Sequence, residues 1–430
     1  MDMDKTDVLE ALKHSNVFLT GGAGVGKSYI TNEVITHYRK EGKQIVSLGS
    51  TGVSAVNIGG FTVHSFFMFG ISNNFEELEQ HDKRNKKRLN DLKKVLKATD
   101  LIIIDEISMV STDLLDMIAY RLNRYGYLGK VMFVGDFFQL PPVQKQQRND
   151  IFGERLYAFE SSAWENFDLT VIELTVMKRT QDAEFTHILS KVRKGICDEE
   201  VSAYMMRLWN NELKEENPTY LFGRNLEVEQ TNRAKINELE SEETILFADV
   251  EMHGKIHEKR LASWKSMLPI SEQLTLKEGA PVLFTVNKWG KFVNGERGIL
   301  RKIEEDYLIV EKEEEYVRVE RHVFDLLDML VHDDGSVESM SLATLSQYPL
   351  KLAYAVTIHK SQGMSIDNLV CNVDNIFAPS QFYVAISRAV DPKHLRIDFN
   401  RGDLTQYLRR VLHVDQRVVA YYDKVRTMND

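Results

Sequence analysis

Residues Gly21 to Ser28 read G-G-A-G-V-G-K-S, and glycines, one lysine and one hydroxyl at those intervals form a phosphate-binding set. Gly21, Gly22, Gly24 and Gly26, with Ala23 and Val25 between them, let successive backbone N–H groups close around phosphate oxygens. Lys27 then reaches the outer phosphates, and Ser28 offers its hydroxyl to Mg2+. A second set stands at the end of the apolar run "LIIIDEIS". There Asp105 can hold the metal, and Glu106, one residue on, is placed to activate a water, which is the chemistry of a nucleotide hydrolase. A third apolar run, "KVMFVGDFFQLPPV", delivers Gln139, whose amide can report whether a γ-phosphate is present. Alone, the acid pair and the glutamine would suit ordinary surface positions; the glycine loop makes them a set.

Such groups work only if rigid elements bring them to one edge. The run "NVFLT" leads into the loop and the helix-period stretch "SYITNEVITHYRKE" leaves it. Further β-type runs, "KQIVSLGS", "DLIIIDEIS", "GKVMFVGDF" and "DLTVIEL", alternate with helical stretches. That alternation predicts an α/β core with a parallel sheet covered on both faces, and ligands at the carboxyl ends of its strands. From Ile71 to Lys97 the chain turns polar and charged, which reads as an insertion without a core of its own. A second α/β unit is expected around "PTYLFGRN", "LKLAYAVTIH" and "DNLVCNV". Between them, about 280–349, short strands such as "APVLFTVN" and "DYLIVEKE" with turns such as "NGERG" predict a small barrel or meander.

Bulk properties narrow the classes. At 430 residues with 43% apolar side chains the chain suggests two or three globular domains. Cys197 and Cys371 are far apart and lack a C-x-x-C partner, which argues against a disulfide framework or thiolate metal site and fits a reducing cytoplasm. The opening "MDMDKTD" is unlike a targeting segment, and no apolar run reaches the roughly 18 residues that span a bilayer, so no membrane partner is expected. The net charge of −10 disfavours a polyanion on average, yet "KRNKKRLNDLKKVLK" from Lys83 to Lys97 is strongly basic. A solvated helix face explains that run as readily as a binding surface.

Seven stretches occur in order: "GGAGVGKS", "STGVSAVNIGGFTVHSFF", "IIIDEISMV", "VGDFFQLPPV", "FVNGERG", "YAVTIHKSQGMSID" and "QFYVAISRAV". Together, from about Asn16 to Arg396, they resemble the superfamily 1 DNA helicases of the petite-integration-frequency (Pif) type. The resemblance implies two RecA-like domains with one ATP between them: a first over 1–170 with an insertion at about 71–97, and a second over 171–279 and 350–430. It also implies an SH3-like β insertion over 280–349. The activity implied is ATP-dependent 5′-to-3′ translocation on single-stranded DNA with unwinding of duplex. A RecD- or Dda-like helicase, or a helicase subunit of a larger repair or recombination complex, is the alternative.

The same resemblance assigns residues. ATP and Mg2+ are the implied cofactors, with Lys27, Glu106, Gln139 and two arginines, Arg179 in "TVMKRTQD" and Arg388 in "AISRAV", as catalytic groups and Ser28 and Asp105 as metal ligands. The arginines would stabilise charge that develops on the γ-phosphate and make hydrolysis depend on domain closure. Thr51, His64, Phe66, Asn294, Thr357, His359, Lys360 and Ser361 would line the DNA strand. The implied partners are single-stranded DNA and its junctions with duplex, with G-quadruplexes and RNA–DNA hybrids left open, and the implied state is a monomer. Two departures stand out: no glutamine occupies the adenine-reading position around Asp4 to Thr6, and Lys178-Arg179-Thr180 replaces the aromatic-Arg-Gln triplet of relatives.

Overall fold

The structure, a computed structural model, describes residues 5–70, 72, 75–142, 155–214, 217–288, 290–312, 315–331 and 337–429; Asp4, at the edge of the adenine-reading position, lies outside them. Contacts divide the chain into two units: Met1–Val176 with Leu326–Leu342 and Arg417–Asp430, and Met177–Asp325 with Ala343–Gln416.

The first unit is built on a six-stranded sheet of β1 (Asn16–Gly21), β2 (Ile45–Gly49), β3 (Phe61–Thr62), β4 (Leu101–Asp105), β5 (Lys130–Val134) and β6 (Leu169–Leu174), in the order β3-β2-β4-β5-β1-β6. Every neighbouring pair is parallel, so all carboxyl ends share one edge. The central strands β4 and β5 are almost wholly apolar and buried because both faces are covered. On one face Val17, Leu19, Leu101, Ile103, Met132 and Val134 meet Val34, Ile35 and Tyr38 of the helix Lys27–Lys40. Alternate residues supply the other face, where Phe18 and Phe133 pack on Trp164 with ring centroids 5.3 and 5.1 Å apart. Each fully buried side chain of this size contributes about 1.5–3 kcal/mol.

The charged stretch is helical from residue 75 on. The helices Phe75–Arg84 and Lys86–Ala98 bury Leu78, Leu89, Leu92, Val95 and Leu96, so the second is an amphipathic helix of the core whose exposed face carries Lys86, Lys93, Lys94 and Lys97. A buried ion pair fixes the first: Arg121 of the helix Thr112–Tyr125 donates both terminal nitrogens to Asp82 at 2.6 Å and its Nε to the Phe67 carbonyl at 3.1 Å. The last helix, Gln416–Asn429, differs from its expectation. The reading above runs the second domain to 430, whereas Arg417–Asp430 packs within the first unit, with Tyr421 stacked on Phe159 at 4.5 Å.

The second unit holds a four-stranded parallel sheet, in the order Ala355–Thr357, Thr219–Phe222, Leu369–Asn372, Leu395–Asp398. Beside it in sequence, Pro281–Phe284, Arg297–Ile303, Leu308–Lys312, Glu315–Val319 and Leu350–Leu352 form an antiparallel five-stranded sheet with a bulge between Leu300 and Lys302. The outer part of the next two strands, Leu326–Leu342, belongs to the first unit, where Asp328 accepts from Arg88 at 2.8 Å.

Candidate nucleotide and DNA sites

In the first unit, β1 ends at Gly21, whose φ of 139° and closeness to Leu174 exclude a side chain: a Cβ there would lie 2.3 Å from the Leu174 carbonyl oxygen. Gly24 and Gly26 take φ of 80° and 96°, turning the loop back before the helix begins at Lys27. The Lys27 ammonium lies inside that curve, donating to the carbonyls of Gly21 and Gly22 at 2.7 and 2.9 Å. Ser28 is exposed at the helix start. A loop of amides closed over an ammonium at a helix N-terminus is a site for a polyphosphate.

Two strands away, β4 delivers Asp105 and Glu106 to the same edge. Glu106 adopts the left-handed region at φ 55°, ψ 49°, which costs a non-glycine residue on the order of 1–3 kcal/mol and is a mark of functional sites. Ser50 holds it there: its amide donates to the Asp105 carbonyl at 3.2 Å and its hydroxyl to the Glu106 carbonyl at 2.9 Å. Burial, then the charge of Glu106, push the Asp105 carboxyl up to about 7, against the pull of Lys27. Two adjacent carboxylates suit a divalent cation, and Ser28 with Asp105 would hold Mg2+. A P-loop site completes such an ion with phosphate and water oxygens, so few protein ligands are needed. After β5, the turn through Gly135 places Gln139, buried, with its backbone N–H donating to the Asp136 carbonyl at 2.8 Å.

The second unit brings Arg179 and Arg388 together. Arg179 donates to Ser365 Oγ at 2.9 Å and to the Ser387 carbonyl at 2.6 Å. Arg388, buried, donates to Ser387 Oγ and the Val384 carbonyl, each at 2.9 Å, and to the Ser361 carbonyl at 3.4 Å. Burial, then the like charge of Arg388, lower the pKa of Arg179. Ser50, Ser365 and Ser387 escaped the sequence reading; adjacency to a motif residue was the signal in the first and third cases.

The strand-path residues fare unequally. Lys360 is exposed and His359 half-buried, both on the turn after Ala355–Thr357. Thr357 and Ser361 are buried and build that turn: Thr357 Oγ1 accepts from the Lys360 amide at 3.2 Å, and Ser361 Oγ donates to the Ile358 carbonyl at 2.8 Å. The turn Asn294–Gly295 lies against it, since a Cβ on Gly295 would sit 2.6 Å from Met364 Cβ. In the first unit Thr51 caps the helix Gly52–Asn57, accepting from the Ser54 amide at 3.1 Å, and His64 meets Phe69 edge-on at 6.1 Å. Phe66 is a correction. It is fully buried among Phe61 and Phe67, with no ring face open to a base, because aromatic packing of the 61–69 segment claims it.

The chain is similar to known proteins over nearly its whole length. Residues 4–203 match the family described as PIF1-like helicase, and residues 296–421 one described as helicase. Over 427 residues the chain is 42% identical to an ATP-dependent DNA helicase Pif1 of Campylobacter jejuni, covering 96% of this chain and 95% of the relative. The solved structure of Bacteroides sp Pif1 in complex with ADP-AlF4 is similar at a TM-score of 0.83 and 26% identity, covering 99% and 96% of the two chains. Bacteroides Pif1 bound to ssDNA gives 0.68 at 26% identity, covering 99% and 97%.

Proposed function

The chain belongs to the PIF1-like helicase family and is an ATP-dependent DNA helicase, and from that premise we propose that it walks 5′ to 3′ along single-stranded DNA and parts the duplex ahead. Lys27 and the loop amides bind the β- and γ-phosphates of ATP, with Ser28 and Asp105 holding Mg2+. Bound there, Mg2+ supplies charge neutralisation on the phosphate oxygens. Glu106 takes a proton from the attacking water. Gln139 registers the γ-phosphate, and Arg179 and Arg388 stabilise the charge that grows as it departs.

The observation that supports coupling to DNA is the pair of hydrogen bonds from Ser50 to Asp105 and Glu106, one residue before Thr51. A shift of the strand-path motif at Thr51 is thereby passed to the carboxylate that activates water. In the second unit the Arg388 contact with the Ser361 carbonyl does the same for the Thr357–Ser361 turn. The five-stranded antiparallel sheet has the role of the SH3-like insertion and braces that turn through Gly295. We place the protein in the cytoplasm, acting as a monomer; among the described residues no helix is long and apolar enough to cross a membrane.

Strand displacement on tailed duplexes tests the reading. With ATP and Mg2+, a duplex with a 5′ single-stranded tail is unwound and one with only a 3′ tail is not. Equal unwinding from either tail contradicts the polarity. Forks, G-quadruplexes and RNA–DNA hybrids belong in the same assay, each with a 5′ tail.

A further inference from the structure

Tyr422 of the last helix is 1% exposed and reaches two parts of the candidate nucleotide site at once. Its hydroxyl lies 2.7 Å from Oγ1 of Thr20, a wholly buried residue that directly precedes Gly21, and accepts from the backbone N–H of Phe137 at 3.2 Å. Its ring lies nearly parallel to that of Phe138, at 14° and 4.7 Å between centroids. Phe137 and Phe138 belong to the turn that ends at Gln139, and Asp136 shapes that turn. The Asp136 carboxylate accepts from the backbone N–H of Phe138 at 3.1 Å, its carbonyl accepts from that of Gln139 at 2.8 Å, and the Tyr422 hydroxyl lies 3.5 Å from the same carboxylate oxygen.

Packing does not call for that hydroxyl. The neighbouring Tyr421 already docks the helix on Phe159, Phe137 and Trp164, at 4.5, 5.5 and 6.1 Å, and a phenylalanine at 422 would keep the stack on Phe138. What the hydroxyl adds is a bridge. The pairing of β1 with β5 ends at Leu19 and Val134, and the backbone N–H of Gly135 donates to the Leu19 carbonyl at 3.1 Å, short of both Thr20 and Phe137. Tyr422 carries the connection past that point. A sensor depends on such a connection: Lys27 and the loop amides fix where a γ-phosphate sits, and Gln139 can register it only from a turn held at a set distance. We propose that Tyr422 is a positioning residue for the γ-phosphate sensor, setting the Gln139 turn against the phosphate loop through Thr20 and Phe137 so that the site tells ATP from ADP. This rests on the reading of Gln139 as that sensor.

The test compares the affinity of the full chain for ADP and for β,γ-methylene-ATP, a triphosphate that is not hydrolysed, by equilibrium titration with Mg2+. Tyr422→Phe is expected to bind ADP as wild type does and to lose roughly fivefold of its preference for the triphosphate, the worth of one hydrogen bond. Gln139→Ala should lose at least as much, and the double variant no more than Gln139→Ala alone, because Tyr422 acts through that side chain. Thr20→Val should follow Tyr422→Phe, and Thr20→Ser, which keeps the hydroxyl, should follow wild type; this pair decides the matter if Tyr422→Phe does not fold. A tyrosine that merely holds the helix would weaken both nucleotides alike or neither, and its loss would add to that of Gln139→Ala; each of these results overturns the proposal. If Gln139→Ala keeps the full preference for the triphosphate, the sensor reading falls as well. If Gln139→Ala loses it while Tyr422→Phe and Thr20→Val do not, the positioning role fails and the sensor reading stands.

Discussion

The hydroxyl of Ser50 donates to the backbone carbonyl of Glu106 at 2.9 Å, and Glu106 itself sits in the left-handed region at φ 55°. One hydrogen bond thus joins the residue before Thr51 to the backbone of the residue that carries the candidate catalytic carboxylate. Ser50→Ala removes that bond and leaves both side-chain carboxylates intact. DNA-stimulated ATP turnover is expected to fall about fivefold, the equivalent of about 1 kcal/mol, with a smaller change in turnover without DNA. An unchanged ratio of stimulated to basal rates would show that Ser50 does not couple the two sites.

Tyr422 of the last helix donates or accepts at Thr20 Oγ1 at 2.7 Å, accepts from the Phe137 amide at 3.2 Å, and stacks on Phe138 at 4.7 Å. Those partners flank the phosphate loop and the Gln139 turn. Tyr422→Phe keeps the stack but strips the buried amide and hydroxyl of a partner, which costs about 1–3 kcal/mol. Urea unfolding at a fixed slope measures it, and an unchanged midpoint would mean that the hydroxyl is idle.

The pair Arg121–Asp82 predicts a larger loss. Asp82→Ala leaves a fully buried guanidinium without its carboxylate and is expected to destabilise the first unit by about 3–5 kcal/mol. Chemical denaturation of the variant should give a midpoint far below wild type. A loss under about 1 kcal/mol would indicate that Arg121 finds compensation at the Phe67 carbonyl.

Arg179 is half-buried and hydrogen-bonded through Ser365 and Ser387, so Arg179→Ala is expected to fold. Its kcat for ATP should drop by roughly 10³, with a much smaller change in nucleotide affinity, because the contact strengthens as the γ-phosphate leaves. Equal losses in both quantities would make Arg179 a ground-state binder. Arg388 is a poorer probe, since its three backbone and hydroxyl partners make it structural as well.

What the sequence made legible was local. Gly21 to Ser28 need their spacing for steric reasons that hold in any fold, and Asp105-Glu106 follow an apolar run that only a doubly covered strand tolerates. Leu78, Leu89, Leu92 and Leu96 were hidden because lysines and glutamates crowd the exposed faces of their helices, so composition masked a helical period. Phe66 misled for the opposite reason: its place in a motif says nothing about which way the ring faces. The return of the last helix to the first unit was illegible because an apolar stripe shows that a helix is covered, not which sheet covers it.

The central claim is that the first unit binds ATP through Lys27 and hydrolyses it through Glu106. Glu106→Gln keeps the size and removes the base, so ATP affinity measured at equilibrium should stay near wild type while single-strand-stimulated turnover falls by roughly 10²–10⁴. Hydrolysis by Glu106→Gln at close to the wild-type rate would contradict it.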